Sequence, residues 1–155
     1  MTTSPEQPNG SSLPLDALRL GLELELPSDV RYIQRIVELV RCQCEQMCFS
    51  QRHCSLNVPV ALTEALSNAI LRGNGEDPGK SVRVRLEIDS ERLVVDVADE
   101  GAGFDLQQSL RDPTRPENLT REDGRGLFLM SRLMHRVERL NQRGNVVRMT
   151  LHRHG

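Results

Sequence analysis

VRVRLEIDSERLVVDV, residues 82–97, is the stretch that decides the fold. Its apolar residues recur at every second position on both sides of a polar break at Asp89–Glu91. Period-two alternation predicts half-buried strands, because successive side chains of a strand point to opposite faces. The short break between the two runs predicts an antiparallel hairpin with one face toward a core and one toward water.

Upstream of the hairpin, the sequence predicts one strand and a long first helix. Residues 18–26 alternate leucine with glycine or charged residues, which is typical of a strand with one wet face. Apolar residues then recur at helical spacing from Val30 to Met47, so we expect a helix that runs to about Phe49. Ser28 stands before this helix and can cap it.

A second helix is predicted between the first helix and the hairpin. Asn57 can cap it, and Pro59 lies in its first turn, where a missing N–H costs little. The apolar run from Val60 to Leu71 continues the helix, and Gly73 and Gly75 end it.

Downstream of the hairpin, the sequence predicts a long connection, a third helix and two closing strands. Residues 101–123 hold prolines and many polar residues without a period, which indicates a functional or disordered connection. The helix is predicted at 126–135, and the strands at 136–140 and 146–152. Together the elements predict an α+β fold of two layers, with a mixed, mainly antiparallel sheet and its helices packed on one face.

Length and charge limit the class of protein. The 155 residues suffice for a single domain with a real core, which we expect over 15–155, after a disordered polar tail at 1–14. A formal net charge of −2 and a pI near 6.1 give no general attraction to nucleic acid or to an anionic membrane. Without a signal-peptide pattern or a membrane-spanning apolar run, we expect a cytoplasmic protein.

Four cysteines lie close together, at positions 42, 44, 48 and 54, so a metal site or a disulfide has to be considered. On a helix, Cys42 and Cys44 point about 200° apart and cannot share one tetrahedral centre. We therefore expect reduced, buried or half-buried thiols, with Cys44 and Cys48 together on one helix face.

The end of the second helix carries the first of three segments that could perform chemistry. Glu64, Asn68 and Arg72 are spaced by four residues, so on a regular helix they form one row. A neutral amide oxygen suits a hard cation such as Mg²⁺, and a neighbouring carboxylate can accept a proton or orient water. An ordinary solvated stripe on an amphipathic helix is the alternative.

The second segment is DEGAGF, residues 99–104, directly after the hairpin. Gly101 and Gly103 allow the backbone to approach a ligand closely. An ionised carboxylate only accepts hydrogen bonds, so Asp99 could recognise the exocyclic amino group of adenine and reject the carbonyl of guanine. A plain Asp-Gly turn at a strand end is the alternative.

The third segment is GRGLFLM, residues 124–130, in which Gly124 and Gly126 open the predicted third helix. Free N–H groups and the helix dipole at such a start favour the binding of phosphate. A flexible entry into a packed helix is the alternative.

In their order and spacing, the three segments resemble the N, G1 and G2 boxes of the GHKL ATPase superfamily, which includes gyrase, histidine-kinase and MutL-type ATPases. The resemblance is closest to the single-domain anti-sigma-factor kinases, covers nearly all of residues 18–152 and extends to residues 112–119. It implies the Bergerat ATP-binding fold, ATP and Mg²⁺ as cofactors, and serine/threonine protein kinase activity.

The resemblance also implies roles for individual residues. Asn68 is expected to hold Mg²⁺, Glu64 to act as the general base and Asp99 to contact adenine. A lid is expected at roughly 105–123. The other expected nucleotide-binding residues are Arg72, Gly101, Gly103, Phe104, Gly124, Arg125, Gly126 and Leu127.

Two positions depart from the family pattern. Arg72 stands where many members have histidine, which places a cation near the nucleotide. Glu122-Asp123 replaces a basic residue often found in the lid just before the third box, with Arg121 one step earlier.

The resemblance implies a regulatory function. The chain is expected to sequester a sigma factor or a comparable target and to phosphorylate a serine or threonine of an anti-anti-sigma (STAS) protein, which releases the competing partner. Similar proteins commonly form homodimers, so a homodimer is a further partner to consider. A nucleotide-sensing switch without phosphotransfer is the second interpretation, favoured by the altered lid. A third, an ATPase or histidine-kinase-like fragment, lacks the expected dimerisation and phosphoacceptor helices.

Overall fold

The computed structural model describes residues 15–101, 122–141 and 145–154. The tail predicted at 1–14 and most of the long connection lie outside the described residues. The longer helices and strands, numbered in chain order, are β1 (Leu20–Pro27), α1 (Ile33–Gln46), α2 (Val58–Asn68), β2 (Ser81–Ile88), β3 (Arg92–Asp99), α3 (Glu122–Leu133), β4 (Arg136–Asn141) and β5 (Asn145–His152). The shorter elements are 3₁₀ turns at Leu15–Ala17 and Val30–Tyr32 and π-helical turns at His53–Asn57 and Ala69–Gly73.

The described strands form one five-stranded sheet in the order β1-β2-β3-β5-β4. β2 and β3 form the predicted hairpin, in which Val84 lies opposite Val97. In the turn between them, Asp89 accepts hydrogen bonds from the backbone N–H groups of Glu91 and Arg92. The α+β prediction is confirmed. The sheet differs from the expected mixed one because every described pairing is antiparallel.

One face of the sheet carries the core, as the alternation predicts. Val40 of α1 and Leu62 and Leu66 of α2 are fully buried against this face. Burying a leucine or valine side chain contributes about 1.5–3 kcal/mol, so these contacts hold the two layers together. The strands contribute the buried side chains of Leu26, Val82, Val84, Leu86, Leu93, Val95, Val97, Met149 and Leu151.

A row of alternating charges crosses the opposite face of the sheet. Opposite charges directly across from each other on neighbouring strands favour this register. Arg148 donates two hydrogen bonds of 2.8 Å to Asp96 within the row. From β1 to β4 in spatial order, the row consists of Glu23, Arg85, Asp96, Arg148 and Glu138.

The first helix ends earlier than predicted, at Gln46 rather than near Phe49. Beyond it, Cys48 adopts a positive φ of 59° and is exposed, so the predicted common helix face of Cys44 and Cys48 is wrong. Cys44 instead lies next to Cys54, and their sulfur atoms are 3.0 Å apart. Burial raises the pKa of both thiols, which makes them poor nucleophiles.

The second helix is longer than predicted, because the chain is helical from His53 to Gly73. Asn57 lies inside this run with helical torsions and does not cap it. Its Nδ2 atom instead donates to the carbonyl oxygen of Leu133, at the end of α3, over 2.7 Å. The cap prediction is wrong because the preceding turn is already helical and packs into the fold.

By length and hydropathy alone, the helical run at His53–Gly73 could cross a membrane. Its Leu62, Leu66 and Ile70 side chains are fully buried against the rest of the protein. The run is therefore the core helix of a folded domain.

Candidate functional site

Glu64 and Asn68 lie where α2 packs against α3, and α3 makes its approach through Gly126. A Cβ at Gly126 would lie 2.7 Å from Glu64 Oε2 and 3.3 Å from Asn68 Nδ2. Glycine therefore allows the two helices to come closer at this point than any other residue would. The structure brings the first and third segments together here, and we call Glu64, Asn68 and Gly126 the helix-face cluster.

Asn68 carries an unmet hydrogen-bonding group in the helix-face cluster. Its Nδ2 atom is buried and has no hydrogen-bond partner among the residues that the structure describes. A buried polar group without a partner costs about 1–3 kcal/mol, so its presence favours a site completed by a ligand. Together, Asn68 and the half-buried Glu64 offer oxygen atoms of the kind that Mg²⁺ prefers. These residues fit a magnesium-bound phosphate.

Arg72 lies beyond the helix-face cluster, on the next turn of the run. The helix widens there into a π turn at Ala69–Gly73, closed by a 2.8 Å hydrogen bond from the N–H of Asn74 to the carbonyl five residues before it. The Arg72 side chain is exposed, whereas Glu64 and Asn68 are half-buried. The structure therefore leaves the third member of the predicted row in solvent.

Asp99, the last residue of β3, lies against the π turn that ends the helical run. A Cβ on Gly73 would lie 2.4 Å from Asp99 Oδ2, and a Cβ on Gly101 would lie 1.8 Å from the Gly73 carbonyl oxygen. Asp99 is only 7% exposed. Its Oδ1 atom accepts from the N–H of Gly101 at 2.8 Å and from Nδ2 of Asn145 at 3.1 Å. The second segment thus meets the end of the first.

Asn74 fastens the end of the helical run to the sheet. Its Nδ2 atom donates to Oγ of Ser28 at 2.9 Å and to the carbonyl oxygen of Ser81 at 3.0 Å. Its Oδ1 atom accepts from the N–H of Glu100 at 2.7 Å. Both ends of this buried amide are therefore satisfied. We call Gly73, Asn74, Asp99, Gly101 and Asn145 the strand-end cluster.

Ser28 has a different role from the predicted helix cap. It donates to the carbonyl oxygen of Lys80 at 2.7 Å, which joins it to the strand-end cluster through Asn74. Asp29 is the capping residue, because it accepts from the N–H of Arg31 at 2.9 Å at the turn before α1. The Arg31 guanidinium lowers the pKa of Asp29 to about 2, so this cap is ionised at neutral pH.

The family described as the histidine kinase-like ATPase domain matches residues 25–151, a range that contains both clusters. The chain belongs to this family. It is 30% identical to the serine-protein kinase RsbW of Bacillus subtilis (strain 168) over 139 residues, 86% of each chain. It is 27% identical to RsbW of Bacillus velezensis over 139 residues, again 86% of each chain.

A solved structure shares the fold of this chain. The crystal structure of the RsbU and RsbW domains of Rv1364c from Mycobacterium tuberculosis matches with a TM-score of 0.58 at 13% identity. The match covers 86% of this chain and 32% of that one. This match shows the fold. The family match and the similarity to RsbW confirm the resemblance of the three segments to GHKL ATPases and their anti-sigma-factor kinases.

The third helix begins at Glu122 rather than at the predicted Gly126. Gly124 and Arg125 therefore belong to its first turn, and Gly126 lies inside it. The two glycines do not break the helix, and Gly126 is needed there for the contact with α2. Leu127 is fully buried in the core, so only its backbone could contact a ligand. An anion would meet the helix start four residues earlier than the sequence suggests.

Two predicted nucleotide-binding residues, Gly103 and Phe104, lie outside the described residues, as does most of the predicted lid. Sequence reasoning missed Asn74 and Asn145, whose buried side chains hold the strand-end cluster together. Each follows a glycine in the sequence, a pattern that by itself indicates only a helix end or a turn.

Proposed function

We propose that this chain is an ATP-dependent serine/threonine protein kinase that binds a sigma factor or comparable regulatory target and phosphorylates an anti-anti-sigma (STAS) partner. One observation carries the proposal: Gly126 brings α3 against the Glu64 carboxylate and the buried Asn68 amide, which has no partner among the described residues. The similarity to serine-protein kinases RsbW supports the same class of reaction.

The strand-end cluster would hold the nucleobase. Both hydrogen bonds that Asp99 accepts from described residues fall on Oδ1. Its other oxygen therefore suits the 6-amino group of adenine and opposes the 6-carbonyl group of guanine. Gly73 keeps a side chain away from this carboxylate, and Gly101 allows the chain to pass against the Gly73 carbonyl. Gly103 and Phe104 would complete the pocket.

The helix-face cluster would hold the reacting phosphate. Asn68 would offer its amide oxygen to Mg²⁺ and its Nδ2 atom to a phosphate oxygen or a water molecule. When bound, Mg²⁺ supplies the charge neutralisation on which phosphoryl transfer depends. Glu64 would accept the proton of the attacking serine or threonine hydroxyl. The first turn of α3, with Gly124 and Arg125, would add backbone donors, and Arg72 a nearby cation.

Phosphorylation of the STAS protein would change which partner the kinase binds. A phosphate on the STAS protein adds a charge of about −2 to its surface, which would weaken its complex with this chain. Sigma factor and unphosphorylated STAS protein would therefore compete for the kinase. The kinase would act in the cytoplasm, alone or as a homodimer, and would bind neither nucleic acid nor membrane.

The test is transfer of label from γ-labelled ATP with Mg²⁺ to candidate STAS proteins, by the wild type and by Glu64→Gln. This substitution keeps the shape of the side chain and removes the base. We expect label on a serine or threonine, a loss of on the order of 100-fold or more in the variant, and little change in ATP affinity. Glu91→Gln, in the exposed hairpin turn, is the matched control and should retain full activity.

Two results would contradict the proposal in different ways. Equal labelling by Glu64→Gln and the wild type would show that Glu64 is not the general base. Tight ATP binding without label on any STAS protein would replace the kinase with a nucleotide-sensing partner switch.

A further inference from the structure

Asn145, the first residue of β5, is the one side chain in the described part of the protein that reaches Asp99 with a hydrogen bond. It is 6% exposed. Its Nδ2 atom donates to Asp99 Oδ1 at 3.1 Å and to the carbonyl oxygen of Gly101 at 2.5 Å. Its Oδ1 atom accepts from the guanidinium group of Arg139 at 2.8 Å. The amide therefore links β4, β5 and the end of β3.

The chemistry of these partners fixes the orientation of the Asn145 amide. Arg139 can only donate, so it must face the amide oxygen. The Asp99 carboxylate and the Gly101 carbonyl can only accept, so they must face the amide nitrogen. A flipped amide would place donor against donor on one side and acceptor against acceptor on the other. Arg139 thus holds Asn145 in the orientation that presents a donor to Asp99.

In this orientation of the Asn145 amide, only one of the two oxygens of Asp99 accepts hydrogen bonds from described residues. Oδ1 receives the Asn145 amide and the Gly101 N–H, whereas Oδ2 accepts no hydrogen bond from any described residue. Oδ2 lies against Gly73, where a Cβ would come within 2.4 Å. Rotation of the carboxylate would break both bonds to Oδ1, so the described residues leave one carboxylate oxygen, Oδ2, for a ligand.

We propose that Asn145, held by Arg139, is a positioning residue that makes the nucleotide site selective for adenine over guanine; the inference rests on the ATP site proposed above. Adenine offers one amino group at position 6, which matches one carboxylate oxygen. Guanine pairs with a carboxylate through two donors, N1–H and the 2-amino group, which require both oxygens. The Asn145 amide donates to Oδ1, so guanine cannot form hydrogen bonds to both oxygens of Asp99.

The sharpest variant is Asn145→Asp, which keeps the side-chain shape and the acceptor for Arg139 but removes the donor to Asp99. Asn145→Ala is the second variant, because it adds no charge next to Asp99. Asn141→Ala is the matched control, because Asn141 pairs with Asn145 across the same hairpin but is exposed. Thermal unfolding of each variant identifies those that are folded.

Calorimetric titration with ATP, GTP and purine riboside triphosphate, which lacks the 6-amino group, provides the readout. We expect the preference of the wild type for ATP over each analogue to fall about tenfold in both Asn145 variants, which is the effect of losing one hydrogen bond to a charged group. The Asn141 control should keep the full preference. Equal losses for all three nucleotides, with the preference unchanged, would show a merely structural role and overturn the inference.

The outcomes separate this inference from the proposed function. An unchanged preference in variants of a wild type that binds ATP would refute the positioning role alone. A wild type that does not bind ATP would refute the ATP site and the inference together.

Discussion

The helix-face cluster and the strand-end cluster lie near each other along the second half of one helical run, yet they differ in how their polar groups are satisfied. In the strand-end cluster, the side chains of Asn74 and Asn145 each make hydrogen bonds through both amide atoms. In the helix-face cluster, Asn68 Nδ2 is buried without a partner among the described residues. Folding completes the first cluster, and we infer that a ligand completes the second.

The difference teaches in which cluster the polar side chains also stabilise the fold. A satisfied buried amide ties distant chain segments together and stabilises the fold, whereas an unsatisfied one costs stability until something binds to it. Substitutions in the strand-end cluster should therefore lower the free energy of unfolding, whereas substitution of the Asn68 side chain should leave it nearly unchanged and weaken ligand binding.

The largest effect is expected from Gly101→Ala, which breaks the strand-end cluster. The new Cβ would lie 1.8 Å from the backbone carbonyl oxygen of Gly73, which cannot move without displacing the helix end. We expect a loss of about 4 kcal/mol in the free energy of unfolding, measured by urea denaturation. Gly21→Ala is the control, because a Cβ there meets no atom within 4 Å. Similar stability of the two variants would show that this contact is not needed.

Asn74→Ala should have the next largest effect. The substitution removes the acceptor of the Glu100 N–H and the donor to Oγ of Ser28 and the carbonyl oxygen of Ser81. We expect the free energy of unfolding to fall by about 2–3 kcal/mol in chemical denaturation. The exposed Asn141→Ala variant should change it by less than about 0.5 kcal/mol. If both variants were equally stable, Asn74 would not hold the helix end to the sheet.

The smallest effect on stability is expected from Asn68→Ala, although this substitution, like Asn74→Ala, replaces an asparagine by alanine. It deletes a buried donor without a described partner, so the free energy of unfolding should stay within about 0.5 kcal/mol of the wild type or rise slightly. The same denaturation experiment measures this difference. A loss as large as that of Asn74→Ala would erase the contrast between the two clusters.

Local patterns predicted most of the fold. The alternation at 82–97 specifies β2 and β3 because burial on one face depends only on every second residue. The two cap predictions, at Ser28 and Asn57, are wrong for a common reason. Both side chains form hydrogen bonds with residues that are distant in the sequence. Ser28 bonds to the carbonyl of Lys80 and Asn57 to the carbonyl of Leu133, and neither partner is visible in the local sequence.

The sequence predicted those residues of the candidate site that belong to the three ordered segments. Glu64, Asn68, Asp99 and Gly126 come from three ordered segments, and the structure brings these segments together in two clusters, although the roles assigned to the residues remain predictions. Asn145 could not be predicted in the same way, because its hydrogen bond to Asp99 joins residues 46 positions apart. No periodicity or capping rule acts over that distance.

The most direct test of the two-cluster account is a calorimetric titration of ATP with and without Mg²⁺ in the wild type, Asn68→Ala and Asn145→Asp. The account predicts that Mg²⁺ strengthens ATP binding by the same factor in the wild type and Asn145→Asp, and has no effect in Asn68→Ala. An equal effect of Mg²⁺ in Asn68→Ala would contradict the account, because the metal would then be held elsewhere than at the helix-face cluster.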